Sequence, residues 1–192
     1  MERMRHELRY TLSKLDGLAA FGAVPADCAA RPSVTPGEHA PIAVDGGVQL
    51  RRWGFLRRWR GHGGSRGAPI VTAPAEAVAQ TPQLRDARPC LVFADGVLAR
   101  RAAIELWVHP EPPRLVAFAG LAETSDDDEV PSFAVLVGPS LVHTIQQAMP
   151  IVLAPESYAR WLTARELVPA THDDWRADAP AKMQNQAQRE LF

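Results

Sequence analysis

Short apolar runs, most of them bounded by glycine, proline or charged residues, recur along the chain and constrain its fold more than any other feature. Runs of four to eight apolar or alternating residues between such turn signals are typical of β-strands. We expect strands at Val48–Phe55, near Pro69–Val71, and at Cys90–Phe93, Ile104–His109, Leu115–Leu121 and Ser132–Val137. The PEPP turn after His109 predicts that the strands on either side of it form a hairpin.

Helical spacing is confined to two segments. Leu12–Phe21 carries Leu or Phe at every third position and is followed by Gly22, and Pro155–Leu167 begins with a proline and has an apolar stripe. The connection Pro25–Pro41 is too rich in proline for regular structure. Because strands and helices do not alternate, a parallel doubly wound sheet is disfavoured, and we predict an α+β fold in one domain.

Composition excludes several classes of protein. None of the apolar runs in the 192 residues approaches the ~20 residues that span a bilayer, and the first ten residues contain no apolar signal core. Cys28 and Cys90 are too far apart in sequence to indicate a disulfide framework or a metal pair. We therefore expect a cytoplasmic monomer with two packing thiols, no membrane contact, no metal and no cofactor.

Charge is distributed unevenly although the formal net charge is only -1. No acidic residue occurs from Gly46 to Ala75, where six arginines fall, and the glycine-rich stretch Arg60–Gly67 predicts a loop there. The acids concentrate in ETSDDDE, Glu123–Glu129, which predicts a solvated acidic loop over 123–131. The arginines favour a phosphate-binding segment, but a GC-rich genome would also enrich arginine.

Eight segments resemble, in order, the motifs of one protein family. They are RYTL, PSVTPGEHAPIAV, RRWGFLRRW, TAPAEA, ARPCLVFADGVLAR, LVAFAGLAE, QQAMPIVLAPESYARWL and NQAQREL. In the SRAP (SOS-response-associated peptidase) family the similar segments read MCGRYTL, YNIAPT, RWGLIPSW, NARAET, RRCLVPADGFYEW, LAFAGLWE, HDRMPVILPPEDYxxWL and NQGPEL. The match runs from about His6 to the C-terminus, and on it the chain is identified as a degenerate SRAP member.

The resemblance implies an SRAP-like domain over residues 1–192. Its expected core is a curved, barrel-like, mainly antiparallel sheet flanked by helices. Residues 1–6 would form an N-terminal extension, and residues 176–192 a loosely structured C-terminal tail.

The family chemistry that the resemblance implies needs groups that this chain has replaced. SRAP proteins capture abasic sites in single-stranded DNA with an N-terminal cysteine, whose amine and thiol close a thiazolidine on the sugar aldehyde. An asparagine, a glutamate and a histidine position the sugar and move protons. The positions of cysteine, asparagine, glutamate and histidine are occupied here by Glu7, Ser33, Ala99 and Gln146. Alanine cannot move a proton and an amide does not titrate, so we expect no catalytic residue.

Three other side chains are alternatives for a lost group. Cys28 lies in a loop near Ser33, but its nitrogen is a peptide nitrogen and cannot close a thiazolidine. His143 would share a helix face with Gln146 if that stretch were helical. Glu76 keeps the glutamate of NARAET, although Thr72 and Pro74 replace its asparagine and arginine. The simpler interpretation is a packing thiol, a surface histidine and a surface acid.

The DNA-binding surface that the family implies is less altered. Two family arginines are replaced by Pro74 and Ala148, but the tryptophan segment has gained two arginines. Arginine pairs with phosphate, and tryptophan stacks on unpaired bases. The DNA-binding candidates are Arg9, Arg51, Trp53, Arg57, Arg58 and Trp59. Alternatively, Trp53 belongs to the core and the arginines form a solvated face.

Three functions follow as hypotheses. The first is non-covalent binding of single-stranded or damaged DNA, with single-stranded DNA as the partner. The second is a pseudoenzyme that acts as an interaction or regulatory module for a protein partner, without DNA binding. The third is an active abasic-site crosslinker, lyase or peptidase with rearranged catalytic residues.

Overall fold

The computed structural model describes residues 9–13, 15–45, 47–55, 69–101, 104–123, 131–142, 145 and 147–179. The strands found there are β1 Arg9–Leu12, β2 Arg31–Val34, β3 His39–Val44, β4 Gly47–Trp53, β5 Thr72–Pro74, β6 Arg88–Ala94, β7 Gly96–Arg101, β8 Ile104–Pro110, β9 Val116–Ala122, β10 Ser132–Gly138, β11 Met149–Pro150 and β12 Trp175–Asp178. The α-helices are α1 Pro82–Asp86 and α2 Tyr158–Ala164, and short 3₁₀ helices span Leu18–Phe21, Ala75–Ala77 and Pro155–Ser157. In this part of the chain no helix is long and apolar enough to cross a membrane.

Five strands close into a barrel. β3 pairs with β4 and β6, β6 with β9, and β9 with β10, all antiparallel, and a parallel pairing of β10 with β4 completes the ring. β5 and β11 also pair with β10. The predicted barrel-like, mainly antiparallel α+β fold is therefore confirmed.

A second, wholly antiparallel sheet has the strand order β12-β8-β7-β1-β2. β1 lies between β2 and β7, so the start of the described chain is held on both sides. β12 is an edge strand, and Trp175–Asp178 pairs with Trp107–Pro110 of β8.

The strands are buried on both faces, because side chains alternate between two apolar clusters. In β6, Cys90 and Val92 belong to the first cluster, whereas Leu91 and Phe93 belong to the second. The first cluster joins the barrel to the second sheet, and the second includes residues of α1 and α2. A strand covered on both faces shows a continuous apolar run instead of alternation, as CLVF does.

Three expectations from the sequence are wrong. β8 and β9 flank the PEPP turn as predicted, but they belong to different sheets and do not form a hairpin. The predicted helix Leu12–Phe21 is the end of β1 followed by a 3₁₀ turn over Leu18–Phe21, because Gly17 has φ 93° and Leu12 pairs in the sheet. The tail expected from residue 176 begins instead as β12. The helix predicted at Pro155–Leu167 is confirmed as a 3₁₀ turn and α2, ending at Ala164.

Candidate functional site

Ala99 holds the position of the family glutamate, and its methyl group faces the core. It lies in β7 opposite Leu106 of β8, and it is 2% exposed. Leu141 and Ile145 belong to the same apolar cluster, and Ile145 directly precedes Gln146. A buried methyl group among apolar side chains can neither hold nor move a proton. Glu7, Gln146 and the alternative base His143 lie outside the described residues.

Ser33 holds the asparagine position and lies at an irregularity of the second sheet. Tyr10 pairs with Val34, but Leu12 pairs with Arg31, so β2 carries one extra residue at this point. The Ser33 Oγ and the Tyr10 hydroxyl oxygen are both buried without a hydrogen-bond partner. Burial raises the pKa of Tyr10, and the nearby Cys90 and Glu38 raise it further. Both hydroxyls are therefore neutral groups.

Neither described thiol has the properties of a nucleophile. Burial raises the pKa of the Cys90 thiol well above its usual range. Cys28 is half-buried, and burial and then Asp27 raise its pKa as well. Because the thiolate is the reactive form, both residues are unreactive at neutral pH. Glu76, the third alternative, is an exposed residue of the 3₁₀ helix Ala75–Ala77.

Trp53, one of the DNA-binding candidates, is a core residue. Its ring is fully buried, 5.1 Å from the ring of Tyr10 and stacked 6.3 Å from the ring of Phe133. Its Nε1 donates a hydrogen bond of 2.7 Å to the Val71 carbonyl oxygen. No ring face is left for a base, so Trp53 as a stacking residue is corrected, and the core alternative describes it.

Arg51 directs its guanidinium group to acceptors within the protein. Nη1 donates to the Glu123 carbonyl oxygen over 2.7 Å, and Nε and Nη2 donate to Gln49 Oε1 over 2.9 and 2.7 Å. The side chain is half-buried, and burial lowers its pKa. Arg51 therefore offers fewer donors to a phosphate than the sequence suggests. For Arg9 the structure describes only its place in β1, opposite Leu98.

The arginine loop, residues 56–68, starts and ends at a fixed base. Phe55 and Ile70 form an isolated antiparallel bridge, with N–O distances of 2.9 and 3.1 Å. Gly54 has φ 118°, and a Cβ there would lie 3.2 Å from Val71 Cγ1, so the turn into the loop requires glycine. The candidates Arg57, Arg58 and Trp59 fall within the loop and lie outside the described residues.

Two polar groups that the sequence analysis did not single out lie in the interior. The Asp95 carboxylate accepts hydrogen bonds from the Thr11 hydroxyl and from the Ser13 backbone N–H, the latter over 2.6 Å. His109 is buried and stacks on Trp107 with ring centroids 3.8 Å apart. Asp95 stands in the ADG of a motif used for recognition, so the sequence carried a signal for it. His109 follows an alternating strand pattern and gave none.

A cavity of about 680 Å³ lies between the turn after β10 and the segment that leads into β12. Its lining residues are Ser140, Leu141, Val142, His172, Asp173, Trp175, Arg176 and Ala177. Nothing in the sequence indicated this cavity, because its two walls are about 30 residues apart along the chain.

Comparison with known proteins agrees with this architecture. Three solved structures cover 88–90% of this chain: a protein from Bordetella bronchiseptica (16% identity, TM-score 0.71, 98% of its length), one from Bacteroides thetaiotaomicron (18%, 0.72, 90%) and a phage-related protein from Bordetella bronchiseptica (17%, 0.63, 92%). At these identities the likeness shows the fold alone. No curated protein matches the sequence. The family model for SOS response associated peptidase (SRAP) matches residues 5–188, and the chain therefore belongs to the SRAP family.

Proposed function

We propose that this chain binds single-stranded or damaged DNA without forming a covalent bond, and that the arginine loop supplies the main phosphate contacts. Membership of a family described as SOS-response-associated suggests a DNA-associated function. The observation that carries the proposal is the acid-free arginine loop, which the Phe55–Ile70 bridge closes at its base.

The non-covalent character is supported by what stands at the family's catalytic positions. Glu7 replaces the cysteine, and Ala99 is packed in the core where the glutamate would act. The described thiols, Cys28 and Cys90, have raised pKa values and give no thiolate at neutral pH. Binding through charge and stacking needs none of these groups.

The arginine loop supplies the charge that binding needs. Arg57, Arg58, Arg60 and Arg66 fall within 13 residues that contain no acid. Phosphate contacts by arginine release counterions, so affinity for a single strand falls with salt, with a log–log slope of about 0.7 per contact. Such contacts carry little sequence information, and we expect weak binding without strong sequence preference.

The test is fluorescence anisotropy with a single-stranded oligonucleotide over a salt series. Replacing Arg57 and Arg58 by glutamate should weaken binding and flatten the salt slope. The matched control replaces Arg85 and Arg160, which are exposed and remote in sequence, by glutamate, so that the net charge changes equally. Trp59→Ala should remove about 1–3 kcal/mol of binding free energy if a base stacks there. Equal loss in both double variants would show a bulk-charge effect and count against the loop.

The pseudoenzyme module remains the second candidate, and the engaged state of Trp53 and Arg51 favours it. Both residues were expected in the DNA groove, yet one is fully buried and the other donates within the protein. This candidate expects no anisotropy change even at low salt. Trp53→Phe separates the two roles of that residue: we expect a lower melting temperature and unchanged DNA affinity, because its indole belongs to the core.

A further inference from the structure

The cavity between the turn after β10 and β12 has one aromatic and apolar wall. Trp175 is 3% exposed and Leu141 is 4% exposed, and the half-buried Val142 and Ala177 lie beside them. The ring of His172 stands perpendicular to that of Trp175, with centroids 6.2 Å apart. A volume of about 680 Å³ falls within the range of small-molecule sites, roughly 300–1,000 Å³.

His172 is the polar group of this wall, and its hydrogen-bonding capacity is incomplete. Its Nδ1 is buried and has no hydrogen-bond partner. Burial lowers the pKa of His172, while Asp174 and Asp173 act in the opposite direction. The ring is therefore neutral at pH 7, with one donor and one acceptor nitrogen. A buried polar atom without a partner calls for an explanation, and an occupant of the cavity supplies one after a small rotation of the half-exposed ring.

Charged groups beside the cavity are already paired. Arg176 Nε lies 3.0 Å from Glu111 Oε2, and Arg114 Nη2 lies 2.5 Å from Asp174 Oδ2. These two arginines are therefore less available to a phosphate, and Asp173 in the lining would repel one. The lining consequently favours a neutral, flat molecule over an anion.

We propose that this cavity binds a nucleobase, which lies against Trp175 and hydrogen-bonds to His172. A base is planar, neutral and edged with donors and acceptors, so it matches an aromatic wall beside a neutral imidazole. The choice of a base over other neutral heterocycles rests on the proposed DNA-associated function. The base can come from a free nucleoside or from a bound single strand, and the chemistry of recognition is the same for both.

The first arm of the test uses free nucleosides. Saturation-transfer NMR with adenosine, guanosine, cytidine and thymidine should show transfer to base protons for at least one of them. Ala177→Phe fills the cavity and should abolish the transfer. The control Ala164→Phe, at an exposed position of α2, should leave it unchanged. His172→Phe keeps the wall but removes the hydrogen bond, and it should weaken binding roughly fivefold or more. Thermal melts establish that each variant is folded, and His172→Phe keeps the test decisive if Ala177→Phe is not.

The second arm compares a base-bearing oligonucleotide with one of equal length whose sugars carry no base. Wild-type protein should bind the base-bearing strand more tightly, and Ala177→Phe should reduce that difference, if strand bases occupy the cavity. Nucleoside binding without strand discrimination would support the cavity and assign it to free nucleosides. The absence of both effects would overturn the proposal. Salt-dependent binding through Arg57 and Arg58 would still be measurable then, so failure of the cavity is distinguishable from failure of the proposed function.

Discussion

At the scale of single residues, the Asp95 carboxylate ties β1 to the turn between β6 and β7. It is 8% exposed and accepts hydrogen bonds from the Thr11 hydroxyl and the Ser13 backbone N–H. Its own backbone N–H donates to the Thr11 carbonyl oxygen over 2.9 Å. The Thr11 hydroxyl also accepts a 3.3 Å hydrogen bond from Trp107 Nε1. A carboxylate can remain in such a place because its oxygens have partners.

We expect Asp95→Ala to lower the free energy of unfolding by about 3 kcal/mol. The substitution leaves the Ser13 N–H and the Thr11 hydroxyl without their acceptor in a partly buried place, and each such group costs about 1–3 kcal/mol. Urea denaturation measures the change. Asp86→Ala is the control, because its ion pair with Arg85 is exposed and should matter by about 0.5 kcal/mol or less. Equal effects of the two substitutions would contradict the role assigned to Asp95.

At the scale of elements, strand existence was predictable where burial makes the sequence continuously apolar. β6, β9 and β10 read as strands because most of their side chains are buried on both faces. β2 and β12 were missed, since RPSV and WRAD are edge strands with polar residues. The β8–β9 hairpin failed for another reason: which strands pair depends on contacts far apart in sequence, and the local turn does not encode them.

The end of α2 is held by Arg165, which clamps two helices together. Arg165 has φ 57°, a left-handed conformation that ends the helix. Its guanidinium group donates hydrogen bonds to the carbonyl oxygens of Leu84, Arg85 and Ala87, at and just after the last turn of α1. One side chain therefore ends α2 and caps carbonyls at the end of α1 that have no helical partner.

Arg165→Gly should cost about 1–2 kcal/mol of folding free energy, measured by denaturant unfolding. Glycine accepts the left-handed conformation, so the variant removes the clamp and leaves the helix end unstrained. Arg160→Ala is the matched control in the same helix, because its ion pair with Glu166 is exposed and should be worth about 0.5 kcal/mol at most. If Arg165→Gly were as mild as the control, the three hydrogen bonds would contribute nothing.

At the scale of the whole molecule, the site was only partly readable from the sequence. The exchanged residues Ser33 and Ala99 could be named from motif positions alone, because a motif fixes which residue stands where. The burial of Trp53 could not, since exposure depends on Tyr10 and Phe133, which reach it from distant strands. The cavity at His172 also exists only once β12 pairs with β8. The SRAP barrel is thus retained around a family site whose described positions carry no proton-transfer group.

The last prediction follows from that combination: the protein should form no covalent adduct with an abasic single strand. Adduct formation needs an amine and a thiol on one residue and a group that moves protons. Glu7 and Gln146 stand at two of the family positions, and Ala99 is a buried methyl group at a third. A denaturing gel after incubation with an abasic oligonucleotide should show only free protein, while an SRAP protein with the intact motifs, run alongside, gives a shifted band. A heat-stable shifted band from this chain would refute the prediction, and Cys28→Ala and His143→Ala would then identify the group responsible.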